Sequence, residues 1–178
     1  AIPFVLGDGY ATVKWRYNDR DKVTLQTYYG IDGEPVLYEN SYHGWESEYD
    51  DRGNEIRTTY LGLNRKPILL ANGFATMKSV YDVMGRKTRM SLYGVKGEPV
   101  LHKDGHHGWE LKYDNRGRKT ESTHFGTDEK PIILANNYAT VKWSYNATDK
   151  VTEQTYFGIQ GEPILYQNSY HGWLSQYD

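Results

Sequence analysis

The chain has 178 residues, 21 basic and 23 acidic side chains, a net charge of -2 and no cysteine. This charge balance argues against a nucleic-acid partner bound by phosphate neutralisation, and the lack of cysteine excludes disulfides, thiol catalysis and Cys-ligated zinc. No run of about 18 apolar residues predicts a membrane span, yet 15% of the residues are aromatic at a mean hydropathy of -0.80.

The sequence repeats every 32 residues. The units are 9–40, 41–72, 73–104, 105–136 and 137–168, with partial units 1–8 and 169–178 at the ends. The first, third and fifth units open with an Ala-Thr step, whereas the second and fourth open with His-Gly-Trp, so the complete period is 64 residues. Because the chain begins and ends inside a unit, we expect it to be a piece of a longer array.

Each unit begins with a pattern typical of a β-hairpin. Residues 11–17 are rich in Thr, Val, Trp and Tyr and alternate with Lys14 and Arg16, which indicates a strand. A turn follows at Asn18–Asp21, where an Asx side chain can accept a hydrogen bond from the backbone two residues on. A second strand, Val23–Tyr29, then ends at a glycine that recurs in every complete unit.

A short turn leads from that glycine into a predicted third strand that starts at Pro35, since proline is tolerated at the head of a strand. No segment keeps a helical period over about ten residues. We therefore predict an all-β fold: an elongated, β-solenoid-like tandem array of β-hairpins with a 32-residue unit inside a 64-residue double repeat. A lone hairpin is marginally stable in water, so each unit must pack on its neighbours.

Strand alternation separates expected core from expected surface. Val13 precedes Trp15 on one face, whereas Trp45 precedes Ser47, and this exchange of large and small residues favours tryptophans that are mainly core, with a ligand platform as the alternative. The position of Tyr29 is apolar in every unit and is predicted to be core. The position of Tyr28 lies among polar neighbours and is predicted to be half exposed.

Several of these aromatic residues are candidates for a repeated ligand groove. Tyr38 and Tyr166 extend past the third strand, next to Tyr-His pairs that recur along the array. A flat apolar ring with a polar edge suits sugar rings or quaternary ammonium groups; the alternative is packing between units. The predicted ligand-binding residues are Tyr28, Tyr38, Tyr42, His43, Trp45, His106, His107, Trp109, Tyr156, Tyr166, Tyr170, His171 and Trp173.

The turns that begin Tyr49-Asp50, Tyr81-Asp82 and Tyr113-Asp114 resemble the YD motif of bacterial RHS/YD-repeat proteins, which build long β-sheet ribbons that wrap into shells or surface structures. The density of Trp, Tyr and Gly is similar in style to the choline- and glucan-binding aromatic hairpin repeats of bacterial surface proteins. Both resemblances imply a bacterial, cell-surface or secreted, non-catalytic repeat region.

Periodicity argues against an enzyme, because an active site occurs once and every candidate residue here recurs. His43, His107 and His171 are 64 residues apart and would lie several strands from one another, so we expect no metal site and no cofactor. The leading hypothesis is a module that binds glycan or cell-wall polymer with avidity. The alternative is a structural spacer or protein-docking scaffold that carries another domain of a longer chain.

Two expectations concern contacts between units or chains. Uncapped end units predict end-to-end self-association. If consecutive units face the same way, the alternating charges at one position predict a ladder of ion pairs, each worth about 0–1 kcal/mol. The members of this predicted charge ladder are Glu34, Lys66, Glu98, Lys130 and Glu162.

Overall fold

The computed structural model describes residues 9–177, so the predicted partial unit 1–8 lies outside the described residues. Eleven strands form one antiparallel sheet in which each strand pairs with the next along the chain. Residues 9–177 contain no helix, which confirms the prediction of an all-β array of hairpins. Accordingly, no apolar helix of bilayer-spanning length occurs in this range. The strands are β1 (Thr12–Tyr17), β2 (Val23–Tyr29), β3 (Gly44–Tyr49), β4 (Glu55–Leu61), β5 (Thr76–Tyr81), β6 (Lys87–Tyr93), β7 (Gly108–Tyr113), β8 (Lys119–Phe125), β9 (Thr140–Tyr145), β10 (Val151–Phe157) and β11 (Gly172–Leu174).

Asx turns close the hairpins, as predicted. Asn18 accepts hydrogen bonds on its side-chain oxygen from the amides of Arg20 and Lys22, both at 3.0 Å. The fourth turn residue is left-handed, with φ of 56° at Asp21 and 82° at Gly53. A register shift between Arg16 and Tyr17 precedes the turn, and such a bulge bends the strand and increases its twist.

The predicted third strand is wrong. Pro35 forms only an isolated antiparallel bridge with Tyr29, and the next amide, that of Val36, donates to the carbonyl of Tyr28 at 3.2 Å. Tight turns flank this short piece, one closed by the amide of Gly33 and the other by that of Ser41. The connection between hairpins is therefore a double turn that packs against the end of the sheet.

Burial follows the connecting segments more closely than the strand faces. Tyr28, Leu92 and Tyr156 are buried, so the prediction of a half-exposed position is wrong for these three residues. Trp15 is 50% exposed and the other tryptophans are half-buried, so the prediction of a tryptophan core is wrong as well. The tryptophans lie towards the middle of the strands, beyond the reach of the connecting segments that cover the sheet end.

The predicted charge ladder is also wrong, since none of its five members forms an ion pair within residues 9–177. The Glu98 carboxylate instead accepts the amide of Lys96 in its own turn at 2.9 Å. In the preceding unit Asn64 has the corresponding role and accepts the amide of Lys66 at 3.0 Å. The alternating charge thus reflects two ways of closing one turn.

Candidate functional site

Thirteen aromatic rings lie in a continuous row across the sheet, at the ends of the even-numbered strands. Centroid separations between contacting rings run from 4.6 Å, for Tyr156 and Tyr166, to 6.3 Å, for Phe74 and His102. The members of this ring row are Tyr10, Tyr28, Tyr38, Tyr42, Tyr60, Phe74, His102, His106, His124, Tyr138, Tyr156, Tyr166 and Tyr170.

Three positions of each unit supply the ring row. The first is the second residue of the unit, such as Tyr42, and the second is the next-to-last residue of an even-numbered strand, such as Tyr60. The third lies in the connecting segment, as at Tyr38. Alternate units carry leucine at this third position, at Leu70 and Leu134, so the row is thicker in every second unit.

The tyrosines of the row pack on one another. Tyr28 stacks on Tyr38 with centroids 4.8 Å apart and an angle of 21° between the ring planes, and Tyr156 stacks on Tyr166 at 4.6 Å and 23°. Tyr28 is 6% and Tyr156 is 5% exposed. Burial raises the pKa of Tyr156 to about 12 and also raises the pKa of Tyr42. The rings predicted to bind a ligand thus use their faces to hold the array together.

The structure does not bring the predicted Tyr-His pairs together in one groove. His43 is fully buried, contacts Tyr29 edge-on at 5.3 Å and lies outside the ring row that contains Tyr42. Its Nδ1 lies 3.1 Å from the carbonyl oxygen of Val36. His107 is buried in the same way, and the half-buried His171 makes the equivalent backbone contact. The prediction of a shared Tyr-His surface is therefore wrong.

Two equivalent tryptophan sites lie beside the row. Gln26 of β2 is paired with Trp15 on one side and with Trp45 on the other. The Trp15 indole N–H donates to the Gln26 side-chain oxygen at 2.8 Å, and the Gln26 amide nitrogen donates to the hydroxyl of Tyr28. A second set at the other end of the sheet has the same pairings and bonds; its members are Trp143, Gln154, Trp173 and Tyr156.

The sequence stage missed four members of these sites: Trp15, Trp143, Gln26 and Gln154. A signal was present, because fixing the hairpin register at the Asx turn places each glutamine opposite a tryptophan. The central hairpins lack the set and carry Ser79, Met90 and Trp109 at the corresponding places. Trp109 therefore has no glutamine partner.

Arginines join consecutive hairpins at the turn end of the sheet. Arg118 donates to the carboxylate of Asp114 at 2.7 Å in its own turn and to the carbonyl of Asn146 at 2.9 Å in the next turn. Its guanidinium also lies 4.8 Å from the ring centroid of Tyr145. Arg86 makes the equivalent contacts one unit earlier. These contacts tie each turn to its successor.

The chemistry available at these sites is packing and hydrogen bonding. No group of three or more His, Cys, Asp or Glu in the part of the chain that the structure describes is arranged to hold a metal ion. The chain matches no known protein-family model, and no curated protein matches it.

Proposed function

We propose that the chain is a non-catalytic structural array that acts as a spacer or protein-docking scaffold. In this proposal 32-residue units alternate in a 64-residue double repeat and coil as a solenoid-like ribbon. The mutual stacking of the ring row carries the proposal, because Tyr28 and Tyr156 are covered by tyrosines of their own units. Rings packed from hairpin to hairpin supply the stability that a single hairpin lacks.

The turns support a relation to bacterial YD/RHS-like repeats, and we extend the proposal to a bacterial surface or secreted setting. The aspartates of the YD pairs close their turns: Asp50, Asp82 and Asp114 each accept two backbone amides. Since local hydrogen bonds account for the aspartates, the motif has a structural purpose in each unit where it occurs.

Deletion of one double unit tests the scaffold proposal. Removing residues 73–136 joins equivalent positions of the array, so we expect a shorter folded protein with unchanged β-type circular dichroism and a smaller radius of gyration by X-ray scattering. Removing residues 73–120 instead joins positions that are out of phase, and this control should unfold. An in-phase deletion that unfolds as readily as the control would contradict a modular array.

A second candidate function is binding of glycan or cell-wall polymer, supported by the tryptophan sites. The side chain of Trp15 is half exposed and its N–H is satisfied by Gln26, which leaves the indole faces for a sugar ring. Trp45 flanks the same glutamine. The second copy, around Trp143 and Trp173, would add avidity.

Tryptophan fluorescence titration with soluble β-glucan and peptidoglycan fragments tests this second function. The double variant Trp15→Ala/Trp45→Ala removes one of two sites and should weaken binding at least about tenfold. Trp109→Ala is the matched control, because Trp109 pairs with Met90 and not with a glutamine; it should bind as the unaltered chain does. No fluorescence change with either polymer would contradict glycan binding and leave the scaffold proposal standing.

A further inference from the structure

One stretch of the ring row is made of imidazoles. His102 and His106 have centroids 5.0 Å apart with ring planes 29° from parallel, and His106 and His124 are 5.6 Å apart. At these three positions every other unit of the described chain carries Tyr, Phe or Leu. We call His102, His106 and His124 the histidine cluster. It joins the connecting segment between β6 and β7 to strand β8.

Two members of the histidine cluster have no partner for a second proton. The Nδ1 atoms of His106 and His124 are buried and form no hydrogen bond with any described residue. His102 differs, since its Nδ1 lies 3.1 Å from the carboxylate of Asp104. A charged His102 would thus be compensated, whereas a charge on His106 or His124 would be buried without an acceptor, which is costly.

The surroundings add no negative charge beyond Asp104. Phe74 contacts His102 at 6.3 Å on one side of the histidine cluster, and Tyr138 of the next hairpin contacts His124 at 6.0 Å on the other. Strand β7 pairs the uncharged Trp109 with His124, and the adjacent His107 opposes a positive charge on His106. Burial lowers the pKa of His106 and His124, and the neighbouring imidazole lowers each further.

We propose that the histidine cluster is an acid-sensitive break point: protonation of His106 and His124 lifts the connecting segment between β6 and β7 away from β8 while the other hairpins stay closed. Both side chains bind protons more weakly when packed than when free. The stability that they contribute is therefore complete above about pH 6.5 and is lost as the pH falls below that value. Each histidine can raise the opening constant by up to about tenfold per pH unit.

Hydrogen exchange of the full chain at pH 7.5 and pH 5.0 tests the proposal, after correction for the intrinsic pH dependence of exchange. We expect residues 94–107 and 119–125 to lose at least tenfold of their protection at pH 5.0, while the equivalent segments 30–43 and 158–171 keep theirs. Equal protection at both pH values, or a uniform loss in all hairpins, would overturn the proposal.

The chain itself supplies two variants that should abolish the acid response. The triple substitution His102→Tyr/His106→Tyr/His124→Tyr copies Tyr38, Tyr42 and Tyr60 of an earlier unit. A second triple, His102→Leu/His106→Phe/His124→Leu, copies the residues at Leu70, Phe74 and Leu92.

A single substitution outside the histidine cluster serves as the control. His171→Ala places alanine where Ala75 and Ala139 stand in other units, and it should retain the full acid response of residues 94–107. A folded triple variant that still opens at pH 5.0, or a control that no longer does, would contradict the proposal. If neither triple variant folds, the comparison of segments within the unaltered chain decides the matter.

Discussion

The hydroxyl of Tyr81 donates a hydrogen bond to the main-chain carbonyl of Glu55, 3.0 Å away, across the junction of two hairpins. Tyr81 ends β5 and Glu55 begins β4, so the bond fastens one hairpin to the hairpin before it. The tyrosine that precedes each turn thus acts as a latch between hairpins. The same bond, at the same separation of 26 residues, is made by Tyr49, Tyr113, Tyr145 and Tyr177.

Removal of one latch should destabilise the array measurably. Tyr81→Phe deletes the bond and leaves the Glu55 carbonyl without this donor, so we expect a loss of about 0.5–1.5 kcal/mol in the free energy of unfolding, measured in urea. Tyr17→Phe is the matched control, because Tyr17 is 55% exposed and latches onto no carbonyl of the described residues; its effect should stay below about 0.5 kcal/mol. Equal effects of the two substitutions would refute the latch.

Alkaline pH should open the ring row. Burial raises the pKa of Tyr156 to about 12 and raises the pKa of Tyr28. A raised folded pKa means that the stability contributed by these phenols is complete below pH 10 and is lost as the pH rises from 10 to about 12. Circular dichroism should report loss of β-structure in that window, together with tyrosinate absorbance.

Tyr156→Phe should shift this alkaline transition to higher pH, because the substituted ring cannot ionise. The exposed Tyr170 provides the control, and Tyr170→Phe should shift the transition less. Complete tyrosine titration near pH 10 with an intact sheet would show that the packed rings do not resist ionisation.

Local chemistry made the hairpins predictable. An Asx residue, a left-handed fourth residue and alternating strands on either side suffice to define each turn, and Asn18 and Asp21 adopt the expected geometry. The histidines were harder to place. His43 and Tyr42 are adjacent in sequence, yet His43 contacts Tyr29 and Tyr42 contacts Tyr60. Which neighbour each ring meets depends on packing between hairpins, which the sequence pattern does not encode.

The tryptophans show a second limit of sequence reasoning. The exchange of large and small residues between Trp15 and Trp45 was correctly seen as a pattern on one strand face, but a face is buried only where something covers it. The connecting segment places Tyr38 over Tyr28 at the sheet end and leaves Trp15 half exposed. Coverage depends on the path of the connecting segments, and their double turns were predicted as strands.

Glycine of the His-Gly-Trp motif should be irreplaceable. A Cβ at Gly108 would overlap the carbonyl oxygen of Met90 on the neighbouring strand and the ring of Phe125. Because backbone cannot move aside cheaply, Gly108→Ala should cost about 1–3 kcal/mol, measured by urea unfolding. Gly97→Arg is the control, since it copies Arg65, which has φ of 57° at the same turn position. A cost for Gly108→Ala no larger than that of the control would mean that the strands have room to separate.

The two kinds of connecting turn should be interchangeable only as whole sets. Glu98→Lys removes the carboxylate that accepts the Lys96 amide, so we expect a loss of about 0.5–1.5 kcal/mol in thermal or urea unfolding. The double variant Lys96→Asn/Glu98→Lys recreates the arrangement of Asn64 and Lys66, in which the asparagine accepts the amide two residues on at 3.0 Å. It should recover most of the loss, which a double-mutant cycle would register as a coupling energy of similar size. Additive effects would show instead that the carboxylate stabilises the array by a route other than its own turn.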